Sequence, residues 1–112
     1  MVLSINGSQV NTSFHPDSPV DENFVLNLAL LGFNLVTEVE AGENRGHKLE
    51  HDFVVLGYLI APLLSSQNGF TASTDMPRAI TKASRMAVAA WISREGDQTP
   101  IQSVGGWLEN TE

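Results

Sequence analysis

The stretch Val2-Leu-Ser-Ile-Asn-Gly-Ser-Gln-Val-Asn-Thr-Ser-Phe14 carries the strongest local structural signal in the chain. Asn6-Gly7 supplies the positive φ angles that a two-residue type I′ turn requires. We therefore predict a β-hairpin, with one strand over Val2–Ile5 and the next over Ser8–Phe14. The chain is expected to begin with an antiparallel pair of strands.

The segment from Asn23 to Val39 is long and apolar. An extended backbone would bury both of its faces, because Phe24, Leu26, Leu28 and Leu30 alternate with Val25, Asn27, Ala29 and Leu31. A strand of about 17 residues is longer than usual, so Gly32 is expected to mark a bulge or bend partway along it.

The stretch 47–64 fits two secondary structures. Leu49, Phe53, Leu56 and Ile60 have helical spacing, whereas Leu49, His51, Phe53 and Val55 would share one face of a strand. The composition favours the strand, because β-branched valines are adjacent and Gly57 interrupts the helix.

The stretch 80–92 is ambiguous as well. Its alanines favour a helix, with Asp75 as the cap and Pro77 in the first turn. The favoured alternative is a hairpin in which Met86–Ile92 and Pro100–Val104 flank a turn over Arg94–Gln98. Residues 65–75 are predicted to form a polar loop.

The composition is that of a folded protein, with 42% hydrophobic and 17% charged residues in a chain of 112. We expect residues 1–112 to form a single domain. The net charge of -7 disfavours nucleic acid and anionic membranes as partners. The N-terminal residues lack the basic and apolar regions of a signal peptide, and the longest apolar run, from Phe53 to Leu64, is shorter than the roughly 20 residues that cross a bilayer.

The segment His47-Lys-Leu-Glu-His51 spells H-x-x-E-H, the zinc-binding signature of inverted zincins. On a helix the two histidines would be one turn apart, but on a strand about 13 Å separates them, too far for one ion. We therefore expect no catalytic zinc, no cofactor and no enzymatic activity. A surface metal site that combines one histidine with Glu43, Glu50 or Asp52 stays open as an alternative.

The preceding residues Glu43, Asn44 and Arg45 lie between two glycines. Their composition is typical of a stabilised turn, because Asn tolerates left-handed backbone geometry. The alternative is a recognition loop, since Arg is favoured at protein interfaces. Our candidate interaction loop consists of Glu43, Asn44, Arg45, His47, His51 and Asp52.

Trp91 and Trp107 are predicted to pack in the core, because Trp91 lies in an apolar run and Trp107 follows two glycines. The alternative is that they stack on a sugar ring at the protein surface. The predicted core residues are Leu3, Ile5, Leu26, Leu28, Leu30, Phe53, Val55, Val88, Trp91 and Val104.

Three parts of the chain resemble a known family: Leu26-Asn-Leu-Ala-Leu-Leu-Gly-Phe33, Glu38-Val-Glu-Ala-Gly-Glu-Asn-Arg-Gly-His-Lys-Leu-Glu-His-Asp-Phe-Val-Val55, and Ala87-Val-Ala-Ala-Trp-Ile-Ser93 with Pro100-Ile-Gln-Ser-Val-Gly-Gly-Trp-Leu108. They are similar to the C-terminal domain of an uncharacterised family of bacterial secreted proteins with a thioredoxin-like fold. In that family a thioredoxin-like domain, usually with cysteines, precedes a β-sandwich. The likeness covers most of residues 2 to 108, and Gly-Glu-Asn-Arg-Gly is its most specific element.

The resemblance implies an all-β fold, an antiparallel β-sandwich of about seven or eight strands, and favours strands in both ambiguous stretches. It also implies a periplasmic or secreted parent protein with a thioredoxin-like domain, which we expect to pack against residues 41–52. Redox chemistry does not carry over, because this chain has no cysteine.

The expected function is that of a non-catalytic accessory or protein-interaction domain. The alternative is a β-sandwich module that binds carbohydrate or a metal ion. Self-association is a further possibility, because exposed sheet edges invite pairing and Val2–Phe14 is a candidate edge.

Overall fold

The computed structural model describes residues 1–16, 22–33, 35–38, 48–51, 54–66, 69–80, 83 and 85–108, with the backbone alone for 35–38, 48–51 and 66. All regular secondary structure in these residues is β-strand, which confirms the predicted all-β class. The strands are β1 (Val2–Asn6), β2 (Gln9–Phe14), β3 (Phe24–Phe33), β4 (Leu35–Glu38), β5 (Lys48–His51), β6 (Val54–Pro62), β7 (Leu64–Ser66), β8 (Gly69–Asp75), β9 (Arg85–Arg94) and β10 (Gln102–Leu108).

Eight of these strands form two four-stranded antiparallel sheets that pack face to face as the predicted β-sandwich. Sheet A has the strand order β1-β2-β8-β7, and sheet B has the order β10-β9-β3-β6. The remaining strands, β4 and β5, pair with each other as a two-stranded ribbon.

The ribbon continues the pairing of β3 with β6. In sheet B, Gly32 faces Val54. In the ribbon, Leu35 faces His51, which is three residues after Gly32 on one strand and three residues before Val54 on the other. The pairs of the ribbon therefore have the same register as the adjoining pairs of sheet B. Within the predicted strand over 23–39, residues 24–33 form β3 and residues 35–38 form β4.

A β-bulge lies close to Gly32 but on the opposite strand. Leu30 faces Gly57 while Leu31 faces Val55, so Leu56 is the extra residue in β6. Leu56 is buried, and its Cδ1 atom would lie 2.8 Å from a Cβ on Gly32. The predicted irregularity is confirmed, and glycine at position 32 provides the space that the bulged leucine fills.

The core lies between the two sheets. Val10 and Phe14 from sheet A pack with Leu26, Leu28 and Ile92 from sheet B, and all five are at most 1% exposed. The rings of Phe14, Phe24 and Phe70 also pack in this core. Phe24 makes edge-to-face contacts with both other rings, with centroid distances of 5.4 Å to Phe14 and 5.0 Å to Phe70. Such contacts add to the stabilisation from apolar burial.

Two local predictions need correction. The turn of the first hairpin is Gly7–Ser8, with Gly7 at a φ of 64°, because Asn6 is already paired with Gln9. The predicted polar loop over 65–75 is wrong, since β7 and β8 occupy it. There Phe70 and Ala72 face the core while Thr71 and Ser73 face solvent, and the polar outer residues conceal the strand.

The described residues of both ambiguous stretches contain strands and no helix, so the helical alternatives are wrong. Residues of the first form β5 and β6, and residues of the second form β9. β9 pairs with β10 in the expected hairpin, but the second strand covers Gln102–Leu108 and not Pro100–Val104.

The predicted core is partly correct. Leu26, Leu28, Leu30 and Val88 are buried, and Leu3 packs at the margin of the core. Val55 is 53% exposed, because the bulge places it on the outer face opposite Leu31. Ile5 and Val104 are 38% and 37% exposed, because both lie on edge strands. Phe53 lies outside the described residues.

Candidate functional site

The outward-facing side of sheet B is the most unusual surface of the sandwich. Its residues alternate along each strand with those that face the core. They are Val25, Asn27, Ala29, Leu31 and Phe33 on β3; Val55, Tyr58, Ile60 and Pro62 on β6; Arg85, Ala87, Ala89, Trp91 and Ser93 on β9; and Ser103, Gly105 and Trp107 on β10. We call this surface the apolar face.

One aromatic pair on the apolar face consists of Tyr58 and Trp91. Their rings are nearly parallel, with centroids 5.9 Å apart and an interplanar angle of 23°. The two residues lie on opposite sides of β3, since β6 and β9 both pair with it. The rings therefore cover the middle of the sheet.

A buried polar network holds this pair in place. The Tyr58 hydroxyl donates to Asn27 Oδ1 at 2.7 Å, and Asn27 Nδ2 donates to Ser93 Oγ at 2.9 Å and to the Trp91 carbonyl oxygen at 3.3 Å. Asn27 is 5% exposed and Ser93 is 2% exposed. Because a buried amide is costly when unpaired, these bonds fix the orientation of Tyr58 over the sheet.

A second aromatic pair lies further along the same face. The rings of Phe33 and Trp107 have centroids 4.5 Å apart, and the Arg85 guanidinium lies 3.5 Å from the centroid of the Trp107 ring. A guanidinium over an indole is a favourable cation–π arrangement. One side of Trp107 is thus covered, although the residue is 50% exposed.

The surface between the two pairs is made of small residues. Gly105 faces Ala89, which in turn faces Ala29, and Ala87 lies beside Trp107. Trp91 lies opposite Ser103, so Trp91 and Trp107 are offset by four residues, about 13 Å along the strands. A shallow depression of about 450 Å³ adjoins Trp91 and is also lined by Pro100, Ser103 and Gly105.

The position of the tryptophans contradicts their predicted burial in the core. Trp91 alternates with Ala90 and Ile92, which are fully buried, so its own side chain points outward. Trp107 faces the same way beside Ala87. The alternation of residues along β9 places Trp91 on the face opposite Ala90 and Ile92. Because alanines lie on both faces of β9, the sequence did not show which face is buried.

The predicted interaction loop is largely beyond what the structure describes. Glu43, Asn44, Arg45, His47 and Asp52 lie outside the described residues. His51 is the last residue of β5, opposite Leu35, and its side chain is not described. The loop therefore stays a prediction.

The zinc signature is extended where it is described. Lys48–His51 form strand β5, so this part of H-x-x-E-H does not adopt the helix that the motif requires. Among the side chains that the structure describes, no three His, Asp or Glu residues converge as metal ligands.

The connection between β9 and β10 is braced by Asp97. Its backbone N–H donates to the Arg94 carbonyl oxygen at 3.0 Å, and its Oδ1 accepts from the Thr99 N–H at 3.0 Å. The bonds from the backbone and side chain of Thr99, and then the positive charge of Arg94, hold the pKa of Asp97 below its ordinary value. The carboxylate thus helps to set the path of the chain into β10.

The fold and this surface define the class of the protein: an antiparallel β-sandwich with an aromatic, largely uncharged outer face on one sheet. No family model, no curated protein and no solved structure matches the chain. In the parts of the chain that the structure describes, there is no helix long and apolar enough to span a bilayer.

Proposed function

We propose that this chain is a non-catalytic protein-interaction domain and that the apolar face of sheet B is its recognition surface. The observation that carries the proposal is the grouping of exposed apolar side chains on one sheet. Val55, Tyr58, Ile60 and Trp107 are each 50% or more exposed, and all four belong to the apolar face. A contiguous exposed apolar patch is characteristic of an interaction site.

The composition of the face supports a protein partner. Trp, Tyr and Arg are the residue types that dominate binding energy at protein interfaces, and Trp107, Tyr58 and Arg85 are present here. The exposed aliphatic side chains of Val55 and Ile60 add apolar area that a folded partner could bury.

The same geometry is less suited to sugar rings. A sugar needs an uncovered aromatic face and nearby hydrogen-bonding groups, but Arg85 already lies over the Trp107 ring. Tyr58 uses its hydroxyl as the donor to Asn27. We therefore place carbohydrate binding second to protein binding.

A non-catalytic role is consistent with the chemistry of the face. Its ionisable side chains are Arg85 and Tyr58, which lack the paired acid and base of general acid–base catalysis. The family resemblance supports a thioredoxin-like domain of an exported parent protein as the partner, and it supports a periplasmic or secreted location.

The two indole N–H groups provide a direct test, because both tryptophans lie on the apolar face. A ¹⁵N-labelled sample would be titrated with a separately purified thioredoxin-like domain of the family, and in a parallel experiment with soluble oligosaccharides. We expect the thioredoxin-like domain to shift both indole signals. Unchanged signals would refute contact between this partner and the apolar face, and shifts caused by oligosaccharides alone would identify a carbohydrate module instead.

Matched variants make the test specific for the face. Ile60→Lys places a charge on the apolar face, and Leu64→Lys places the same charge on the outer side of sheet A; the two residues are 57% and 65% exposed. We expect Ile60→Lys to weaken binding by at least about tenfold, or about 1.4 kcal/mol, and Leu64→Lys to leave it unchanged. Equal effects would show that the apolar face is not the contact surface.

A further inference from the structure

The two edges of sheet B differ in their protection against further strand pairing. The edge strand β6 carries the bulge at Leu56 and includes Pro62, which lacks a backbone N–H. Residues 77–80 run alongside it, and the Ile80 N–H donates to the Leu56 carbonyl oxygen at 2.9 Å. The Arg78 carbonyl occupies the space that a Cβ on Gly57 would need. Bulges, prolines and covering segments are the devices that block edge pairing.

Among the residues that the structure describes, none of these devices protects the other edge strand, β10. Its seven residues, Gln-Ser-Val-Gly-Gly-Trp-Leu, include no charge and no proline, and all seven pair with β9 without a register shift. Residues Gln102 to Trp107 are exposed. A long, regular and uncharged edge is a template for another strand.

The core is also open beside this edge. Val104 and Ile5 face inward, opposite the fully buried Ala90 and Val10, but they are 37% and 38% exposed. A Cβ on Gly106, which also faces inward, would have no described atom within 4 Å. The Met1 amino group donates to Gln102 Oε1 at 2.9 Å, which places the starts of β1 and β10 on the same side of the sandwich. An additional strand next to β10 would cover this opening.

We propose that the added strand is β10 of a second copy of this chain, paired antiparallel about a twofold axis at Gly105. This register uses all seven residues and is complementary in size on both sides of the sheet. On the outer side, Trp107 lies opposite Ser103 and Gly105 opposite Gly105. On the inner side, Val104 lies opposite Gly106 and Leu108 opposite Gln102. A twofold interface must match itself in this way.

The pairing would extend the recognition surface. Two copies of sheet B would form one eight-stranded sheet, with both apolar faces on the same side. Trp107 of the second copy would lie opposite Ser103, which lines the depression beside Trp91. Each depression would then have an indole on both sides, one of them contributed by the other copy.

Sedimentation analysis over a range of concentrations tests the association. We expect a concentration-dependent dimer of the full chain. Ser103→Asp should weaken it by at least about tenfold, because a carboxylate would be desolvated opposite Trp107 of the second copy. Ser4→Asp is the matched control, since Ser4 is also an exposed serine on an edge strand, and it should leave the dimer unchanged. A wild-type chain that remains monomeric, or equal effects of the two variants, would overturn the proposal.

Disulfide cross-linking tests the register. Because the chain has no cysteine, any disulfide must form between the introduced residues. Val104→Cys and Gly106→Cys would be purified separately and oxidised alone and as a mixture. Opposite residues of antiparallel strands have Cα separations of about 4.5–5.5 Å, within disulfide range, so the mixture should cross-link and each variant alone should not. Self-cross-linking of either variant, or no cross-linking in the mixture of folded proteins, would contradict the register.

This inference is independent of the proposed function. A monomeric chain whose indole signals still respond to the thioredoxin-like domain would refute the dimer and retain the recognition surface. A dimer whose indole signals show no response would do the reverse.

Discussion

The outer faces of the two sheets are built on the same alternation but have opposite chemistry. On sheet A the outward residues of the two central strands are polar apart from a glycine: Gln9, Asn11, Ser13, Gly69, Thr71, Ser73 and Asp75. On sheet B the corresponding positions of the central strands are mostly aliphatic or aromatic, from Val25 and Leu31 to Trp91. Since antiparallel sheets commonly have one solvated face, sheet A is the ordinary case. Sheet B has the composition of a surface that is covered.

The difference extends to the burial of asparagine, a residue type that both outer faces contain. Asn11 and Asn27 both point outward from a central strand. Asn11 is exposed, whereas Asn27 is 5% exposed beneath Tyr58 and Trp91 and makes three hydrogen bonds. The outer side of sheet B is thus partly a second packed layer, which organises aromatic rings at the surface.

The two faces should differ most in the free energy of unfolding that is lost when the side-chain amide of Asn27 or of Asn11 is removed. We expect Asn27→Ala to lower the free energy of unfolding by about 2 kcal/mol, because it leaves the buried Ser93 hydroxyl without its partner. Asn11→Ala should change it by less than about 0.5 kcal/mol. Urea denaturation measures both, and similar losses would mean that the two faces are energetically alike.

A smaller effect is expected from the hydroxyl that orients the ring of Tyr58. Tyr58→Phe removes the donor to Asn27 Oδ1 and should cost about 1 kcal/mol. Because Tyr58 stacks on Trp91, the fluorescence of Trp91 should change as well; a Trp107→Phe background isolates its signal. Unchanged stability and fluorescence would show that the hydrogen bond does not position the ring.

A lysine introduced on an outer face should change the exposed apolar surface more than the free energy of unfolding. Ile60→Lys and Leu64→Lys should each change the free energy of unfolding by no more than about 0.5 kcal/mol. Binding of an apolar fluorescent dye to the folded protein should fall for Ile60→Lys alone, since Leu64 has polar neighbours such as Thr71. An equal fall for both variants would argue against a distinct apolar face.

The smallest effect concerns acid stability near strand β10. Asp97 has a lowered pKa in the folded chain, so its ionised form stabilises folding above the unfolded pKa of about 3.9. That contribution is lost as the pH falls through the lower folded pKa. Asp97→Asn should therefore reduce the stability of the β9–β10 connection at neutral pH and flatten its loss in acid. Hydrogen exchange of β10 amides across this pH range measures the effect, and identical profiles would contradict it.

Much of the fold was predictable from local patterns. The alternation of Phe24, Leu26 and Leu28 identified a long strand, and the glycine at position 32 indicated an irregularity close to the bulge. The polar segment that forms β7 and β8 was missed, because a strand with one solvated face and short inward residues such as Ala72 has little apolar contrast.

The candidate site was harder to predict. Our interaction loop was chosen for its unusual polar composition, and all of it except His51 lies outside the described residues. The apolar face was missed because hydrophobic residues were assigned to the core by default. Val55, for example, is apolar and was therefore assigned to the core. It faces outward only because Leu56 is an extra residue in β6.

The sequence by itself determined the first hairpin and the alternation of the long strands, because these depend on neighbours within a few residues. The all-β class was implied by the family resemblance, since two stretches fitted a helix as well as a strand. Only the tertiary structure decided which side of each strand faces the other sheet. Sheet B has apolar residues on both sides, so its pattern does not distinguish core from surface, and pairing with β6, β9 and β10 was needed to bring Tyr58, Trp91 and Trp107 onto one outer face.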